Sequence, residues 1–362
     1  ISFLNSYDYG YSVSSAGDIN LDGYSDIIIG APGYSGNNAG RLYVYYGSSS
    51  GLHTTEDWSF TGDQANARLG SSVSSAGDVN GDGFPDIIAS APYYTADQIK
   101  EGRVYVFYGS PEGLSDTAVW IFDGNKEYAG AGYSVSGAGD FNNDGFDDVI
   151  IGLPGYENVM FMGYGSVSIF LGSSSGISSV PFLTFRNYHD DIGLGNSVSC
   201  AGDVNGDGFS DVIFGSPYWP PPPDHSGNSL ESNGRVSVIY GSSTGTLNGW
   251  GAVGEVSHSS FGYSVSTAGD VNNDGYSDVI IGSPSYYGSS STTGKVYVYF
   301  GSSTGLQSDP AWTMDRQYNS NYQVDGFGRS VSTAGDLNAD GYSDIIIGAH
   351  FTSWDDQITD PT

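Results

Sequence analysis

The sequence predicts an all-β fold built from six repeats, and three observations indicate it. A nine-residue phrase of the form Asp-x-Asn-x-Asp-Gly-x-x-Asp occurs six times along the 362 residues. Successive phrases begin 60 to 67 residues apart, which suits a four-stranded propeller blade and is too long for one coil of a solenoid. Short apolar runs lie between turn residues, and the chain contains 55 Gly and 28 Tyr. We therefore predict a single β-propeller domain of six four-stranded antiparallel blades.

Strand one is predicted just before each phrase. Every repeat begins with a Gly eight residues ahead of the first Asp, preceded in most repeats by a large apolar or aromatic residue. A Ser-Val-Ser run and an Ala-Gly pair follow in most repeats, as from Phe261 to Gly269.

Strand two follows each phrase at once, and strands three and four follow in turn. The apolar runs of strand two do not alternate strictly, so both of their faces should be covered by neighbouring blades. Strand two is predicted at Ile27–Gly30, Ile87–Ser90, Val149–Gly152, Val212–Gly215, Val279–Gly282 and Ile345–Gly348. Strand three is predicted at Arg41–Tyr46, Arg103–Tyr108, Ser166–Leu171, Arg235–Tyr240 and Lys295–Phe300. Strand four has weaker signals at Trp58–Phe60, Trp120–Phe122, Phe182–Phe185, Trp250 and Trp312.

We expect the last repeat to lack strand three, because only twelve residues follow His350, about the length of the loop that precedes strand three in the other repeats. Residues 1–3 stand ahead of Tyr9 and Gly10 as Trp58–Phe60 stands ahead of Gly70. We expect residues 1–8 to supply strand four of the last blade and to close the ring. The approximate repeats are 9–62, 69–124, 131–186, 194–254, 261–316 and 327–362.

The nine-residue phrase has the oxygen donors and the central glycine of a calcium-binding loop. Side chains at positions 1, 3, 5 and 9 and the carbonyl at position 7 supply about six oxygens, as Ca²⁺ prefers. The alternative is that Asp and Asn only cap their own turns, but three carboxylates in nine residues repel one another without a cation. We predict about six Ca²⁺ ions with a structural role. The predicted ligands are Asp18, Asn20, Asp22, Tyr24, Asp26; Asp78, Asn80, Asp82, Phe84, Asp86; Asp140, Asn142, Asp144, Phe146, Asp148; Asp203, Asn205, Asp207, Phe209, Asp211; Asp270, Asn272, Asp274, Tyr276, Asp278; and Asp336, Asn338, Asp340, Tyr342, Asp344.

Composition narrows the function. With 41 acidic and 10 basic residues the formal charge is −31, which argues against binding to nucleic acids or to anionic membrane surfaces. No apolar run is long enough to cross a bilayer.

The single cysteine, Cys200, excludes an internal disulfide framework. Small residues occupy its position in the other repeats, which indicates a packing role. Weak calcium loops fill at extracellular calcium levels, so we expect an extracellular or cell-surface location.

The pattern resembles the FG-GAP repeats of integrin α-subunit propellers. The resemblance rests on Phe261-Gly262 and Phe327-Gly328 at the start of two repeats and on Gly30-Ala31-Pro32 after a second strand. Relaxed versions of the last motif occur at Ser90–Pro92, Gly152–Pro154, Gly215–Pro217 and Gly282–Pro284. The resemblance implies a propeller whose calcium loops join strands one and two of a blade. Integrin propellers have seven blades with loops in only some, whereas this sequence shows six repeats that all carry the loop.

The face opposite the loops is the predicted binding face. Exposed aromatic residues there can stack on sugars or bind a protein partner, although each could instead pack against a neighbouring loop. The residues are Tyr93, Tyr94, Tyr156, Tyr218, Trp219, Tyr286, Tyr287 and Trp354.

Three interpretations of function remain open at this point. The first is an adhesion or recognition module that binds a protein or glycan. The second is a filament subunit in which a neighbouring copy donates a strand to the last blade. In the third, the chain is a piece of a longer protein that supplies this strand itself. An enzyme is not expected, because the five histidines occupy unrelated places in the repeats and no hydrolase motif is present.

Overall fold

The computed structural model describes residues 8–155, 165–186, 193–219, 232–286, 292–317 and 326–349. Within them the chain forms twenty-two β-strands, in five four-stranded antiparallel sheets and one two-stranded sheet. Each complete sheet follows chain order, so neighbouring strands are joined by hairpins. This is the predicted propeller of six blades, with an incomplete last blade. None of the helices in the described ranges is long and apolar enough to cross a membrane.

The blades have the following bounds. Blade 1 consists of β1 (Ser12–Gly17), β2 (Asp26–Ala31), β3 (Arg41–Tyr45) and β4 (Trp58–Thr61), with a helical turn at Tyr34–Asn38. Blade 2 consists of β5 (Val73–Gly77), β6 (Asp86–Ala91), β7 (Arg103–Phe107) and β8 (Trp120–Asp123). Blade 3 consists of β9 (Ser134–Gly139), β10 (Asp148–Leu153), β11 (Ser166–Phe170) and β12 (Leu183–Arg186). Blade 4 consists of β13 (Ser197–Gly202), β14 (Asp211–Ser216), β15 (Arg235–Ile239) and β16 (Gly249–Val253). Blade 5 consists of β17 (Ser264–Gly269), β18 (Asp278–Ser283), β19 (Thr292–Tyr299) and β20 (Trp312–Gln317), and blade 6 of β21 (Phe327–Gly335) and β22 (Asp344–Ala349).

The hydrophobic core lies between consecutive blades. Strand two is buried along its whole length in blades 2 to 5, which confirms the prediction that both of its faces are covered. In the cluster between blades 1 and 2, Ile28 and Val44 pack in one group with Leu69, Ile87 and Phe107. Apolar contact between blades, rather than within one sheet, therefore holds the ring together.

A bulge precedes every loop. In blade 1 the register shifts between Ser15 and Gly17, so that Gly17 pairs with Asp26 across the hairpin. The same shift occurs in the other five blades. A bulge bends its strand and increases the local twist, so it sets the direction in which each acidic loop leaves the sheet.

The sixth blade shows two strands within the described part of the chain. The expected closing strand at residues 1–8 lies almost wholly outside the described residues, as do residues 350–362. The first strands β1, β5, β9, β13, β17 and β21 pack successively, each on the next, from blade 1 to blade 6.

Candidate metal loops and binding face

Positions 1, 3 and 5 of each loop turn their side-chain oxygens toward the backbone of the same loop. In loop 3, the Asp144 N–H donates to Asp140 Oδ1 at 3.0 Å and to Asn142 Oδ1 at 3.2 Å, so these two oxygens lie side by side. The Gly145 N–H donates to Asp140 Oδ2 at 2.8 Å, and the Phe146 N–H donates to Asp144 Oδ1 at 3.1 Å. The other five loops repeat these four bonds. The spacing of the phrase therefore brings the three side chains together.

Two positions in each loop have a left-handed backbone. The glycine at position 6 has φ of +93° in loop 1, as the sequence predicts for a sharp bend. Position 4 is also left-handed, which sequence reasoning missed, and there the residue is glycine in only two loops. Leu21 has φ of +56° and Ala339 has φ of +58°. Side chains with a Cβ lose about 1–2 kcal/mol in this conformation.

Replacing Leu21 by Gly is expected to stabilise the protein by about 1 kcal/mol, because it removes this strain at some cost in unfolded-chain entropy. Gly23→Ala in the same loop is the control with the opposite expected effect. Nothing lies within 4 Å of a Cβ added at Gly23, but its φ of +93° is unfavourable for Ala. Thermal unfolding in calcium buffer should show a higher melting temperature for Leu21→Gly and a lower one for Gly23→Ala. A lower melting temperature for Leu21→Gly would contradict the assignment of strain.

The aspartate at position 9 joins the loop to the turn after strand three. Asp148 is fully buried. Its Oδ2 accepts the Phe141 N–H at 2.9 Å, and its Oδ1 accepts the Gly172 N–H at 2.8 Å. Loops 1, 2, 4 and 5 repeat both bonds. In loop 6, Asp344 accepts the Leu337 N–H at 2.9 Å, and the described residues of that blade include no third strand to supply the second donor.

Burial is the largest influence on the pKa of the position 9 carboxyl groups. It raises the pKa of Asp86, Asp148 and Asp211 to about 7 and that of Asp278 to about 6, while the two backbone N–H donors oppose the rise. The negative charges at positions 5 and 1 add to the rise. An ionised carboxylate in this place is therefore costly unless a positive charge lies near it.

Asp147, the extra acid of loop 3, has a role in the structure that the sequence did not indicate. Its even position in the nine-residue phrase predicts that it points away from an ion in its own loop and only raises the local field. Its Oδ2 accepts the Asp78 N–H of the preceding loop at 2.8 Å. In blade 6 the Ser343 hydroxyl at the same position accepts the Asp270 N–H at 3.1 Å. The residue at position 8 therefore joins its loop to the preceding one. Burial also raises the pKa of the Asp147 carboxyl group.

The donor set of the loops fits a hard cation that takes several kinds of oxygen. Across the described part of the chain, no three carboxylate, imidazole or thiol side chains form a group that could hold a metal by themselves. A cation in a loop would therefore need the amide oxygen at position 3 and the carbonyl at position 7 in addition to carboxylates. Ca²⁺ accepts such mixed oxygen shells, whereas Mg²⁺ demands a tight octahedron.

The predicted aromatic residues follow strand two, at the end of the blade away from the loops. Tyr93, Tyr218, Trp219 and Tyr286 are partly exposed there. Tyr94 is only 9% exposed and belongs to the core between blades 1 and 2, so its ring offers little area to a partner. Tyr156, Tyr287 and Trp354 lie outside the described residues.

Cations from the start of strand three cover these rings. The Arg103 guanidinium lies 3.9 Å from the Tyr94 ring centroid, and two bonds of 2.6 and 2.8 Å to Asp123 hold it there. Arg235 lies 5.7 Å from the Trp219 ring and Lys295 lies 5.0 Å from the Tyr286 ring. Such contacts attract a cation to the ring face. The sequence signal is a Lys or Arg at the start of strand three in four repeats.

Cys200 lies in β13 and is only partly exposed. Burial raises the pKa of its thiol to about 11, and its Sγ accepts the Gly202 N–H at 3.3 Å. A thiol in this state is a poor nucleophile.

Comparison with known proteins identifies the repeats. The family model described as "FG-GAP repeat" matches residues 9–45, 69–107, 131–169, 195–239, 261–299 and 327–357. These segments together cover more than half of the chain.

Several integrin α-subunits are similar to the chain. Integrin alpha-V of Gallus gallus is 31% identical over 223 residues, covering 60% of this chain and 20% of the relative. Integrin alpha-5 of Xenopus laevis is 32% identical over 219 residues, with the same coverage. Integrin alpha pat-2 of Caenorhabditis briggsae is 30% identical over 282 residues, covering 69% of this chain and 21% of the relative. The chain thus spans about a fifth of the length of these relatives.

One solved structure is also similar, the exotype rhamnogalacturonan lyase YesX. Its TM-score is 0.40 at 14% identity, and the match covers 84% of this chain and 65% of the lyase. Likeness at this level bears neither on the fold nor on the activity of this chain.

Proposed function

Because the chain belongs to the FG-GAP repeat family, we propose that it is an extracellular or cell-surface adhesion module, a β-propeller stabilised by calcium that binds a protein or a glycan. The similarity to integrin α-subunits supports adhesion or recognition in general terms. Binding rather than catalysis is favoured because His53 and His258, the two histidines in the described ranges, lie in different parts of different repeats.

Calcium is the proposed ligand of all six loops. The observation that supports it is the repeated convergence of the oxygens at positions 1 and 3 on the N–H of position 5, at distances from 2.8 to 3.2 Å. Asx turns alone would satisfy the backbone donors, but they leave three carboxylates per loop without a counter-charge. A bound cation would cancel this repulsion and fix the hairpin between strands one and two. The positions proposed as ligands are those predicted from the sequence.

The proposed binding surface is the aromatic face opposite the loops. The observation that carries the proposal is that three of the partly exposed rings, Tyr93, Trp219 and Tyr286, each have a Lys or Arg of the same chain over them. Rings held in this way lose little side-chain entropy when they contact a ligand. Aromatic residues combined with cations are typical of the energetically dominant part of protein interfaces.

Replacing Trp219 by Ala is expected to weaken attachment of the protein to cells or to immobilised glycans by at least about tenfold, the loss typical of an aromatic residue at the centre of an interface. The control is Leu247→Ala, since Leu247 is exposed in a turn on the calcium-loop face. Attachment would be measured on surfaces coated with each variant in calcium buffer. Equal attachment by Trp219→Ala and the unchanged protein would place the binding surface elsewhere.

The filament subunit is the second candidate, and one observation favours it. Among the described residues β22 pairs with β21 alone, so the backbone groups of its other edge have no strand beside them. Such an edge can accept an extended segment from another chain. A Pro at Ile347 would block pairing on that edge if its N–H faces outward, and loss of assembly in Ile347→Pro would support this candidate.

A further inference from the structure

Consecutive acidic loops are bonded to one another. At four of the five junctions from blade 1 to blade 6, the N–H at position 8 of one loop donates to the carbonyl at position 1 of the preceding loop. These bonds run from Asp147 to Asp78 at 3.1 Å, from Ser210 to Asp140 at 3.0 Å, from Ser277 to Asp203 at 3.0 Å and from Ser343 to Asp270 at 2.9 Å. Position 1 is a proposed calcium ligand, and position 8 lies between two others, at positions 7 and 9. The bond therefore joins the proposed ligand sets of neighbouring loops.

A second connection passes through the turn after strand three. The Ser173 N–H in blade 3 donates to the carbonyl of Val79, position 2 of loop 2, at 3.0 Å. Gly172, the residue before Ser173, donates its N–H to Asp148 at position 9 of loop 3. The Val79 N–H donates to Asp86 at position 9 of loop 2, at 3.0 Å. A continuous series of peptide units and hydrogen bonds thus links the two buried position 9 aspartates.

The same series continues through the next two junctions. The Ser242 N–H donates to the carbonyl of Phe141 at 2.9 Å, and the Ser302 N–H donates to the carbonyl of Val204 at 3.1 Å. Phe141 and Val204 both lie at position 2, and their N–H groups bond the position 9 aspartates of loops 3 and 4. The glycines before the two serines bond the position 9 aspartates of loops 4 and 5. Loops 2 to 5 therefore belong to one hydrogen-bonded series.

Side chains also connect loops. A Cβ added at Gly81, position 4 of loop 2, would collide with the ring of Phe146 at position 7 of loop 3. A Cβ added at Gly206 of loop 4 would lie 2.6 Å from the ring of Tyr276 in loop 5. Loops 2 and 4 are the two loops with glycine at position 4. The missing side chain there makes room for the residue whose carbonyl is a proposed ligand in the next loop.

The junction between blades 1 and 2 differs from the other four. Position 8 of loop 2 is Pro85, which has no N–H to donate to loop 1. The two loops are still adjacent, because a Cβ added at Gly17 would lie 2.8 Å from the Pro85 Cβ. Loops 1 and 2 are therefore in contact without the backbone bond that joins the other pairs.

From these connections we infer that neighbouring loops bind calcium cooperatively through the N–H at position 8, and that the effect is weakest between loops 1 and 2. An ion held by positions 7 and 9 fixes the backbone on both sides of position 8, so its N–H is already in place for position 1 of the preceding loop. The conformational entropy lost when the second ion binds is then smaller. The coupling is reciprocal, so each ion favours the other. The inference rests on the proposed calcium binding and goes beyond it, since independent loops would fill one by one.

The glycine at position 6 makes the loops separately observable. Its N–H donates to the carboxylate at position 1 of the same loop, from Gly23 to Asp18 at 2.8 Å in loop 1 and from Gly145 to Asp140 at 2.8 Å in loop 3. Loop 4 has the same bond from Gly208. An ion on that carboxylate changes the environment of the N–H. Calcium titration of the whole chain, labelled with isotopic glycine and followed by NMR, therefore gives one binding midpoint for each loop.

Ser210→Pro removes the N–H that bonds loop 4 to loop 3, and Pro85 shows that proline is compatible with position 8 of such a loop. The calcium concentration at the midpoint of loop 3 should rise at least about fivefold, the lower end of typical couplings between sites, while loop 1 should not change. Ser210→Ala is the matched control, because it loses the hydroxyl and keeps the N–H, so loop 3 should keep its midpoint. Pro85→Ser is the reverse change, and the N–H that it supplies should lower the midpoint of loop 1.

The inference is overturned if Ser210→Pro shifts the midpoint of loop 4 alone, or if Ser210→Ala shifts loop 3 as far as Ser210→Pro does. An unchanged midpoint of loop 1 in Pro85→Ser would overturn it equally, and this variant decides the matter if Ser210→Pro does not fold. In all these cases the glycine signals still respond to calcium, so the proposed calcium binding stands. If no position 6 glycine responds to calcium, the proposed calcium binding fails and the inference fails with it.

Discussion

Removing calcium with a chelator is expected to lower the melting temperature by about 10 °C. At free calcium about tenfold above Kd, each filled loop adds about 1.4 kcal/mol to the free energy of unfolding, by RT ln(1 + [L]/Kd). Six loops would together add about 8 kcal/mol, which is comparable with the whole stability of a typical domain. With about 2.1 cal/mol/K of unfolding entropy per residue, each kcal/mol corresponds to about 1.3 °C in a chain of 362 residues. The measurement is thermal unfolding followed by circular dichroism.

The control for this experiment is chelator that has been saturated with calcium beforehand, which should leave the melting temperature unchanged. Magnesium at the same concentration should restore little of the loss, because it demands an octahedral shell and gives up its waters reluctantly. An equal melting temperature in calcium and in excess chelator would show that the loops are ordinary Asx turns. The propeller would then be stable without a bound metal.

Much of this architecture could be predicted from the sequence because it depends on local spacing. The loop side chains at positions 1, 3 and 5 contact backbone N–H groups at most five residues away, so the nine-residue phrase already determines their arrangement. The burial of strand two also followed from a local pattern, the absence of alternation from Val149 to Gly152. The bounds of the weaker strand four were less certain: the strand predicted at Phe182–Phe185 lies at Leu183–Arg186.

The contacts that sequence reasoning missed connect distant parts of the chain. The second oxygen of the position 9 aspartate bonds a glycine 21 to 30 residues away in blades 1 to 5. Asp147 bonds a backbone group 69 residues away, in another blade. Neither partner can be identified before the blades are placed side by side, since the intervening loops differ in length. The cations over the aromatic rings were missed for the same reason.

Replacing Asp148 by Ala is the second change with a large expected effect. It removes the acceptor for the N–H groups of Phe141 and Gly172, which lie in a fully buried place. Each unpaired N–H is expected to cost about 1–3 kcal/mol, so the two together cost about 2–6 kcal/mol. Loss of a calcium ligand in loop 3 would add to this. Urea unfolding in calcium buffer should show the transition of Asp148→Ala at a much lower midpoint with an unchanged slope.

Asp344→Ala separates the two contributions, because Asp344 has the same place in its loop but accepts only the Leu337 N–H within the described residues. Both variants lose one proposed calcium ligand, whereas only Asp148→Ala also disconnects a loop from the turn after strand three. Since the bond between Leu337 and Asp344 is exposed and both donors to Asp148 are buried, the two unfolding free energies should differ by about 2–6 kcal/mol. Equal losses would mean that position 9 acts through calcium alone. A loss confined to Asp148→Ala, even in chelator, would mean that position 9 stabilises the propeller as a bridge between hairpins, independently of the ion.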